Sequence, residues 1–153
     1  MPATIAIDAN VIVRYLTGDD KVQAQTAADL FRSAQAGDFK LLIPASVLME
    51  TVYVLETVYG LDATVIAPKL ISLLGIDNVR PAEGSWMIEA LQFYRTKNSH
   101  FGDAMLCAFA QAHKCEVATF DKGIPKKFTE VPIGSPGDIL AGRGKSTRKP
   151  HTN

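Results

Sequence analysis

Apolar residues follow two repeating patterns along this chain. Short, nearly continuous apolar runs alternate with longer segments in which apolar residues recur every three or four positions. The first pattern is typical of buried strands and the second of helices packed against a core. The predicted strands cover residues 4–8, 39–43, 78–81, 116–120 and an edge segment within 131–140. The predicted helices cover residues 11–17, 20–36, 44–59, 62–74, 83–97 and 103–113.

Capping and turn residues mark the ends of these elements. Asp19 or Asp20 can cap the second helix and Asp62 the fourth, because a carboxylate accepts hydrogen bonds from the first helical turn. Pro44 suits the start of the third helix, and Pro136-Gly137 predicts a turn. Strands that alternate with helices indicate a parallel sheet. Because helical residues outnumber strand residues, we expect an α/β fold in which a small parallel sheet is sandwiched by helices in three α/β/α layers.

The length and composition suit one domain. The chain has 153 residues, of which 47% are hydrophobic, enough to bury a core. We expect a domain at residues 1–141 and a disordered tail at residues 142–153, which holds four basic residues and no acid. The chain has 16 basic and 16 acidic residues, so the first 141 residues hold 12 basic and 16 acidic residues, a net charge of −4. Because binding of nucleic acid through bulk charge alone needs a basic domain, such a role would rest on a local site, the tail or a second subunit.

The sequence carries no sign of a membrane or secretory segment. No apolar run approaches the roughly 18 residues needed to cross a bilayer, and Asp8, Asn10 and Arg14 interrupt the first apolar stretch, unlike a signal peptide. Cys107 and Cys115 have the spacing of neither a disulfide framework nor a zinc site. We therefore expect a cytoplasmic protein with no membrane partner, whose two reduced thiols lie in the core.

Four acidic residues lie at or near the junctions between strands and helices. Asp8 and Asp121 each close an apolar strand. Asp103 opens a helix, and Glu50 lies in the first turns of an otherwise apolar helix. Each has an ordinary alternative as a helix cap, a turn residue or exposed surface. Together, however, they belong at the carboxyl edge of a parallel sheet, where ligands bind in open α/β folds.

Carboxylates gathered at one edge repel one another. Two charges about 4 Å apart interact by roughly 4 kcal/mol at an effective dielectric constant near 20. A hard divalent cation would relieve this repulsion, because Mg²⁺ and Mn²⁺ prefer oxygen ligands. Zinc is disfavoured, since neither His nor Cys clearly accompanies the acids. The pattern therefore predicts a Mg²⁺ or Mn²⁺ site with these ligands: Asp8, Glu50, Asp103 and Asp121.

Two smaller polar residues belong to the same edge. Asn10 lies two residues after Asp8 and could hydrogen-bond a metal-bound water or a phosphate oxygen. Thr119 lies two residues before Asp121, so both side chains lie on the same face of the strand, and the hydroxyl could orient a carboxylate or a water. The ordinary alternatives, a polar residue at a helix start and a core threonine, stay open.

Four segments, in this order along the chain, resemble the motifs of the PIN-domain family, and in particular its VapC-type toxin ribonucleases of type II toxin–antitoxin systems. They are Ile-Asp-Ala-Asn-Val-Ile-Val-Arg-Tyr-Leu at residues 7–16, Ser-Val-Leu-Met-Glu-Thr-Val-Tyr-Val-Leu at residues 46–55, Phe-Gly-Asp-Ala at residues 101–104 and Ala-Thr-Phe-Asp-Lys at residues 118–122. The resemblance covers about residues 4–130 and leaves out the basic tail.

The resemblance implies a small parallel sheet between helices and an acidic catalytic cluster made of Asp8, Glu50, Asp103 and Asp121. It also implies Mg²⁺ or Mn²⁺ as cofactor, RNA as substrate (often a structured RNA such as tRNA), a homodimer, and an antitoxin protein that blocks the site. The expected reaction is metal-assisted hydrolysis of an RNA phosphodiester. In that reaction Glu50 either ligates the metal or takes a proton from the attacking water.

Basic residues beside the motifs are candidates to hold the RNA. Arg14 lies about one helical turn after Asn10, and Lys122 directly follows Asp121. Lys126, Lys127 and the basic tail could add phosphate contacts. Each of these side chains could equally be solvated surface.

Two other functions fit part of the pattern. A phosphatase of the haloacid dehalogenase type also has an aspartate at the end of its first strand, but it needs a second aspartate where this chain has Asn10. The chain could also be a catalytically idle module that binds a partner protein through aromatic residues. The candidate aromatic residues, for which core packing is the simpler explanation, are Tyr53, Tyr59, Trp86 and Phe93.

Overall fold

Strands and helices follow one another along residues 2–143, the part of the chain that the computed structural model describes. The strands are β1 (Ala3–Ala6), β2 (Phe39–Ile43), β3 (Val79–Pro81), β4 (Val117–Ala118) and β5 (Ile133–Gly134). The helices are α1 (Ala9–Thr17), α2 (Lys21–Gln35), α3 (Ala45–Thr57), α4 (Ala63–Leu74), α5 (Trp86–Lys97), α6 (Phe101–Ala112), α7 (Gly123–Lys127) and α8 (Pro136–Arg143). Among these helices, none combines the length and the apolar character needed to cross a membrane.

The first three strands form a parallel sheet with β2 in the centre. Ile5 lies opposite Leu41 on one side of β2, and Val79 lies opposite Leu41 on the other. Parallel neighbours need long crossover connections, which α1–α2 and α3–α4 supply. β4 and β5 form a second, two-stranded parallel sheet. The predicted α/β fold, with a small parallel sheet flanked by helices, is confirmed.

One hydrophobic core joins the main sheet to the helices. Leu41 and Ile43 of β2 are completely buried, and the cluster around them includes residues of α1 through α7. The rings of Tyr94 and Phe101 join α5 to α6 edge to face, with centroids 5.2 Å apart. The buried Tyr94 hydroxyl donates to Glu56 (2.7 Å), and burial, reinforced by that carboxylate, raises the pKa of Tyr94.

Carboxylates cap several of the helices. Of the two predicted caps of α2, Asp19 and Asp20, the structure has Asp20, which accepts from the backbone N–H three residues on (3.0 Å). Asp62 caps α4 by accepting from the N–H of Thr64, two residues on (3.0 Å). The N-terminus of α3 follows Pro44, which has no side-chain hydrogen bond to give. Instead Glu83, distant in sequence, accepts from the N–H of Ala45 (2.8 Å), so the start of α3 is held from outside the helix.

The structure corrects several of the predicted elements. α6 begins at Phe101, so Asp103 lies inside its first turn and His100 takes the N-cap position. Pro136-Gly137 starts a helix and does not form the predicted turn, because proline at a first helical position leaves no hydrogen bond unmade. The sequence predicts no helix at Gly123–Lys127, since five residues are too few to show a helical period.

Two of the predicted core side chains lie at the surface. Cys107 is buried, but Cys115 follows the end of α6 and is exposed. Tyr53 on α3 is 65% exposed. The other three aromatic residues considered above for binding a partner protein pack in the core or against it: Tyr59, Trp86 and Phe93.

The last described helix overlaps the predicted tail. α8 ends at Arg143 and so includes the first two residues of the segment 142–153. Residues 144–153 lie outside the described residues. The division into a domain at residues 1–141 and a disordered tail therefore stays a prediction.

Candidate active site

Asp8 lies where the chain leaves the main sheet and enters α1. β1 ends at Ala6, but Ile7 still donates a backbone hydrogen bond to Leu42 of β2 (3.2 Å), which holds Asp8 beside the end of the central strand. Asp8 is the N-cap of α1, and its Oδ1 accepts from the N–H of Ala9 (2.7 Å). The carboxylate is exposed. Its Oδ2 accepts no hydrogen bond from residues 2–143 and is available to a ligand.

Glu50 lies on the outer face of the second turn of α3. The helix turns its apolar face inward, where Leu48, Thr51 and Val52 are buried. The Thr51 hydroxyl donates to the carbonyl of Val47 (2.7 Å), so the buried hydroxyl needs no outside partner. Glu50 itself is exposed and has no hydrogen bond or ion pair within the described part of the chain. Glu50 therefore lies on an exposed edge of an otherwise apolar helix.

Asp103 lies in the first turn of α6 and is half-buried. One turn further along, the Cys107 thiol has its pKa raised to about 11, mainly by burial and further by the negative charges of Asp103 and Glu130. No described residue donates a hydrogen bond to Asp103 or forms an ion pair with it. The first turn of α6 therefore carries a negative charge that the described residues do not neutralise.

A direct contact between α3 and α6 places two of the acid-bearing turns side by side. A Cβ built on Gly102 would lie 3.6 Å from Cε of Met49, an ordinary van der Waals distance. Because Met49 precedes Glu50 and Gly102 precedes Asp103, this contact joins the turns that carry those acids. α1 also packs against α3, and Asp8 caps the N-terminus of α1.

Asp121 lies in the turn that follows β4. Its Oδ1 accepts from the N–H of Gly123 (2.7 Å), and its own N–H donates to Oγ1 of Thr119 (3.0 Å). The half-buried Thr119 thus fixes the backbone of Asp121. Oδ2 of the Asp121 carboxylate has no hydrogen-bond partner in the described chain. Lys122 is exposed and forms no ion pair with any of residues 2–143.

The four carboxylates do not close into one cluster. β1 and β4 belong to different sheets, so the strands that precede Asp8 and Asp121 are not hydrogen-bonded neighbours. No hydrogen bond or ion pair of the described residues joins Asp121 to the other three acids. Within residues 2–143, no three His, Cys, Asp or Glu side chains are close enough together to hold a metal ion. The turns of Glu50 and Asp103 adjoin, but among the described residues these two acids belong to no group of three that could hold a metal ion.

The chemistry of these side chains nevertheless fits a hard divalent cation. All four offer carboxylate oxygens, the ligands that Mg²⁺ and Mn²⁺ prefer. The ion pairs of the described chain involve other acids, namely Asp19, Asp29 and Glu130. Two of the four acids give one oxygen to a backbone N–H and keep the other free. Asp8, Glu50 and Asp121 are exposed, and exposed side chains change rotamer rapidly.

The predicted supporting residue Asn10 and the predicted RNA contact Arg14 both line a cavity of about 430 Å³ between α1 and α2. Asn10 is exposed, and its amide has no hydrogen-bond partner among residues 2–143. Arg14 is occupied: its Nε donates to Oε1 of Gln23 (2.8 Å), and its Nη1 donates to Oδ1 of Asp19 (3.1 Å). An RNA phosphate would therefore compete with Asp19 for the Arg14 guanidinium.

Asp19 has a structural role that the sequence did not reveal. Its Oδ1 accepts from Arg14 and from Thr17 (3.0 Å), and its Oδ2 accepts from the Tyr59 hydroxyl (2.5 Å). The Tyr59 hydrogen bond is the main cause that holds the pKa of Asp19 below its usual value. The sequence predicted only a helix cap here, because no local pattern signals a partner 40 residues away.

Comparison with known proteins adds one finding. A family model described as "PIN domain" matches residues 5–128 of the 153 residues. A search of curated proteins finds no match to the chain. The matched range contains all four predicted acids, Asp8, Glu50, Asp103 and Asp121, and it leaves out α8.

Proposed function

The chain belongs to the PIN-domain family, whose members are generally metal-dependent nucleases, and on that premise we propose that it is a metal-dependent endoribonuclease and the toxin of a toxin–antitoxin pair. The observation that carries this proposal is a set of four carboxylates without basic partners among residues 2–143. They are Asp8, Glu50, Asp103 and Asp121. The adjoining turns of α3 and α6 support a common site for Glu50 and Asp103.

Each acid has a proposed role in the hydrolysis of an RNA phosphodiester. Asp8, Asp103 and Asp121 would hold Mg²⁺ or Mn²⁺, and Glu50 would either join them or take a proton from the attacking water. When bound, the cation supplies a lowered pKa for water and positive charge for the scissile phosphate. Thr119 supports this arrangement, because its hydroxyl fixes the backbone of Asp121 (3.0 Å).

RNA binding would rest on local positive charge, since residues 1–141 carry a net charge of −4. Lys122 is exposed directly beside Asp121 and has no competing carboxylate within residues 2–143. Arg14 must first release Asp19, so Lys122 is the stronger candidate. Asn10, with a free amide two residues after Asp8, could hydrogen-bond a phosphate oxygen.

The proposal also covers the cellular location of the protein and its protein partners. A cytoplasmic homodimer and an antitoxin partner that covers the acids follow from the resemblance to VapC-type toxins. Large exposed apolar side chains on α3 and at its C-cap support a protein contact, because Tyr53 is 65% exposed and Val58 70% exposed. Such a contact would bury α3 near Glu50.

The direct experiment is RNA cleavage by the purified protein with Mg²⁺ or Mn²⁺. We expect cleavage of structured RNA such as tRNA, loss of cleavage with a chelator, and products with 5′-phosphate and 3′-hydroxyl ends. The Asp8→Asn variant should lose cleavage and keep its fold by circular dichroism. A protein that binds a partner equally well with and without Asp8→Asn, and cuts no RNA, would instead be an idle binding module. Products with cyclic phosphate ends would contradict the hydrolytic route.

A further inference from the structure

Phe120 is the most exposed large hydrophobic side chain within residues 2–143. Its exposed fraction is 84%, against 78% for Val22 and 71% for Leu140. An aromatic ring contributes far more to stability when it is buried, and folding gains almost nothing from this one. The exposure of the ring therefore needs a reason other than the packing of the domain.

The backbone on both sides of Phe120 is held in place. The N–H of Thr119 donates to the carbonyl of Gly134 in β5 (3.1 Å). The N–H of Asp121 donates to the Thr119 hydroxyl (3.0 Å), and Oδ1 of Asp121 accepts from Gly123 (2.7 Å). Phe120 thus stands on a turn fixed by three hydrogen bonds. A ring presented from a fixed backbone loses little entropy when it binds a ligand.

The position of Phe120 beside Asp121 defines what the ring can reach. Neighbouring Cα atoms lie about 3.8 Å apart, so a phosphate held near Asp121 through a cation would keep its nucleotide close to the residue that precedes Asp121 in the chain. Lys122, exposed on the other side of Asp121, adds a positive charge for the backbone of the same strand. An exposed aromatic ring and a basic side chain around one site are the combination that binds single-stranded nucleic acid.

We infer that Phe120 is a stacking platform for a nucleobase of the RNA, next to the phosphodiester that is cut. The inference rests on the proposed ribonuclease function and adds a substrate contact to it. A protein partner is the other candidate occupant. The chain neighbours of Phe120 favour RNA, because Thr119, Asp121 and Lys122 are polar, whereas a protein contact usually centres on a wider apolar patch.

The first test measures RNA binding with cleavage blocked. In an Asp103→Asn background, a fluorescein-labelled single-stranded RNA of mixed sequence is titrated against Phe120, Phe120→Ala and Phe120→Trp proteins. One lost base stack should weaken binding about 5- to 150-fold in Phe120→Ala. Phe120→Trp should retain binding, and its added tryptophan fluorescence should be quenched by the RNA. Leu140→Ala, which trims a 71% exposed apolar side chain elsewhere, should bind like the parent protein.

The second test locates the base. Abasic riboses are placed one at a time along the same RNA, and each RNA is bound to the parent protein and to Phe120→Ala. One abasic position should weaken binding to the parent and have no further effect on Phe120→Ala, because the two changes remove the same contact. Effects that add at every position would overturn the inference.

The failure of this inference is distinguishable from the failure of the proposed function. If the wild type neither binds nor cuts RNA, the ribonuclease proposal fails and the platform fails with it. If the wild type cuts RNA and Phe120→Ala binds and cuts equally well, the platform alone is overturned. A Phe120→Ala protein that binds RNA normally but changes its oligomeric state assigns the ring to a protein contact and also overturns it. Melting temperatures should agree between Phe120 and Phe120→Ala, since the ring is not packed.

Discussion

The two ends of α1 each carry an aspartate, and the two carboxylates have opposite surroundings. At the start of the helix, Asp8 accepts one hydrogen bond, from the N–H that follows it. Just beyond the end, Asp19 accepts from the side chains of Arg14, Thr17 and Tyr59. The partners of Asp19 tie α1 to the end of α3, and they lower its pKa. Among residues 2–143, the Asp8 side chain accepts a hydrogen bond only from the first residue of α1 and does not link α1 to another element.

This difference separates an acid used for structure from an acid left available for chemistry. Asp62 resembles Asp19, since the Thr64 hydroxyl and backbone N–H groups of α4 donate to it and lower its pKa. Glu50 and Asp103 resemble Asp8, since nothing in the described part of the chain neutralises them. Loss of the charge at Asp8 should therefore change activity, and loss of the charge at Asp19 should change stability.

The first prediction compares Asp8→Asn with Asp19→Asn. Asp8→Asn should reduce RNA cleavage roughly 100-fold or more, because a metal ligand contributes several kcal/mol to the transition state. Asp19→Asn should cut RNA within about fivefold of the wild type, because its partners are structural. Initial rates at saturating Mn²⁺ measure both effects. The proposed site is wrong if the two variants lose activity equally while both remain folded.

The second prediction concerns the stabilisation of the fold by metal. At 100 times its dissociation constant, Mn²⁺ should stabilise the protein by about 2.7 kcal/mol, which raises the melting temperature by roughly 5–10 °C in a domain of this size. Asp103→Asn should lose most of this shift, and Asp19→Asn should keep it. Differential scanning fluorimetry over a Mn²⁺ titration gives the result. An equal shift in all three proteins would place the metal elsewhere.

The sequence predicts the N-terminal half of the fold well because its signals there are local. The run Phe39–Ile43 is a strand with the predicted limits, and Asp62 and Gly75 bound α4 as a cap and a stop should. The C-terminal segment is predicted poorly, because its elements are too short to show a period. α7 has five residues and β4 has two.

The same distinction applies to the candidate site: residues marked by local sequence signals could be predicted, and contacts between residues distant in sequence could not. Asp8 and Asp121 could be identified because each follows an apolar strand. The partners of Asp19 and Arg14 could not, since Tyr59 and Gln23 reach them through the packing of helices. Nor could the sequence tell that Phe120 is exposed: the apolar run predicts a strand over residues 116–120, whereas β4 ends at Ala118 and Phe120 lies beyond it.

The third prediction uses Tyr59→Phe to test the structural role of Asp19 at the C-terminal end of α1. This change removes only the hydroxyl that donates to Asp19, so we expect a melting temperature about 2–4 °C lower, as for one lost hydrogen bond. Cleavage should stay at the wild-type rate. Tyr53→Phe is the matched control, because the Tyr53 side chain is exposed and its hydroxyl has no partner among residues 2–143. If both variants have the same melting temperature, the Tyr59 hydroxyl contributes nothing to the stability of the fold.

The fourth prediction follows from the lowered pKa of Asp19. A carboxyl whose pKa is lower in the folded state binds its proton more weakly there than in the unfolded chain. Its stabilising effect is therefore present above the unfolded value of 3.8 and is lost as the pH falls through the folded value. The difference in melting temperature between the wild type and Tyr59→Phe should thus be constant from pH 7 to about pH 5 and should shrink below pH 4.

The same measurement with Tyr53→Phe should show no difference from the wild type at any pH, which separates this effect from general acid unfolding. A difference between wild type and Tyr59→Phe that survives intact at the lowest pH where the protein folds would mean that the charge of Asp19 is not what Tyr59 stabilises. The two ends of α1 would then differ only in the number of hydrogen bonds, and the distinction between structural and available acids would have to rest on activity alone.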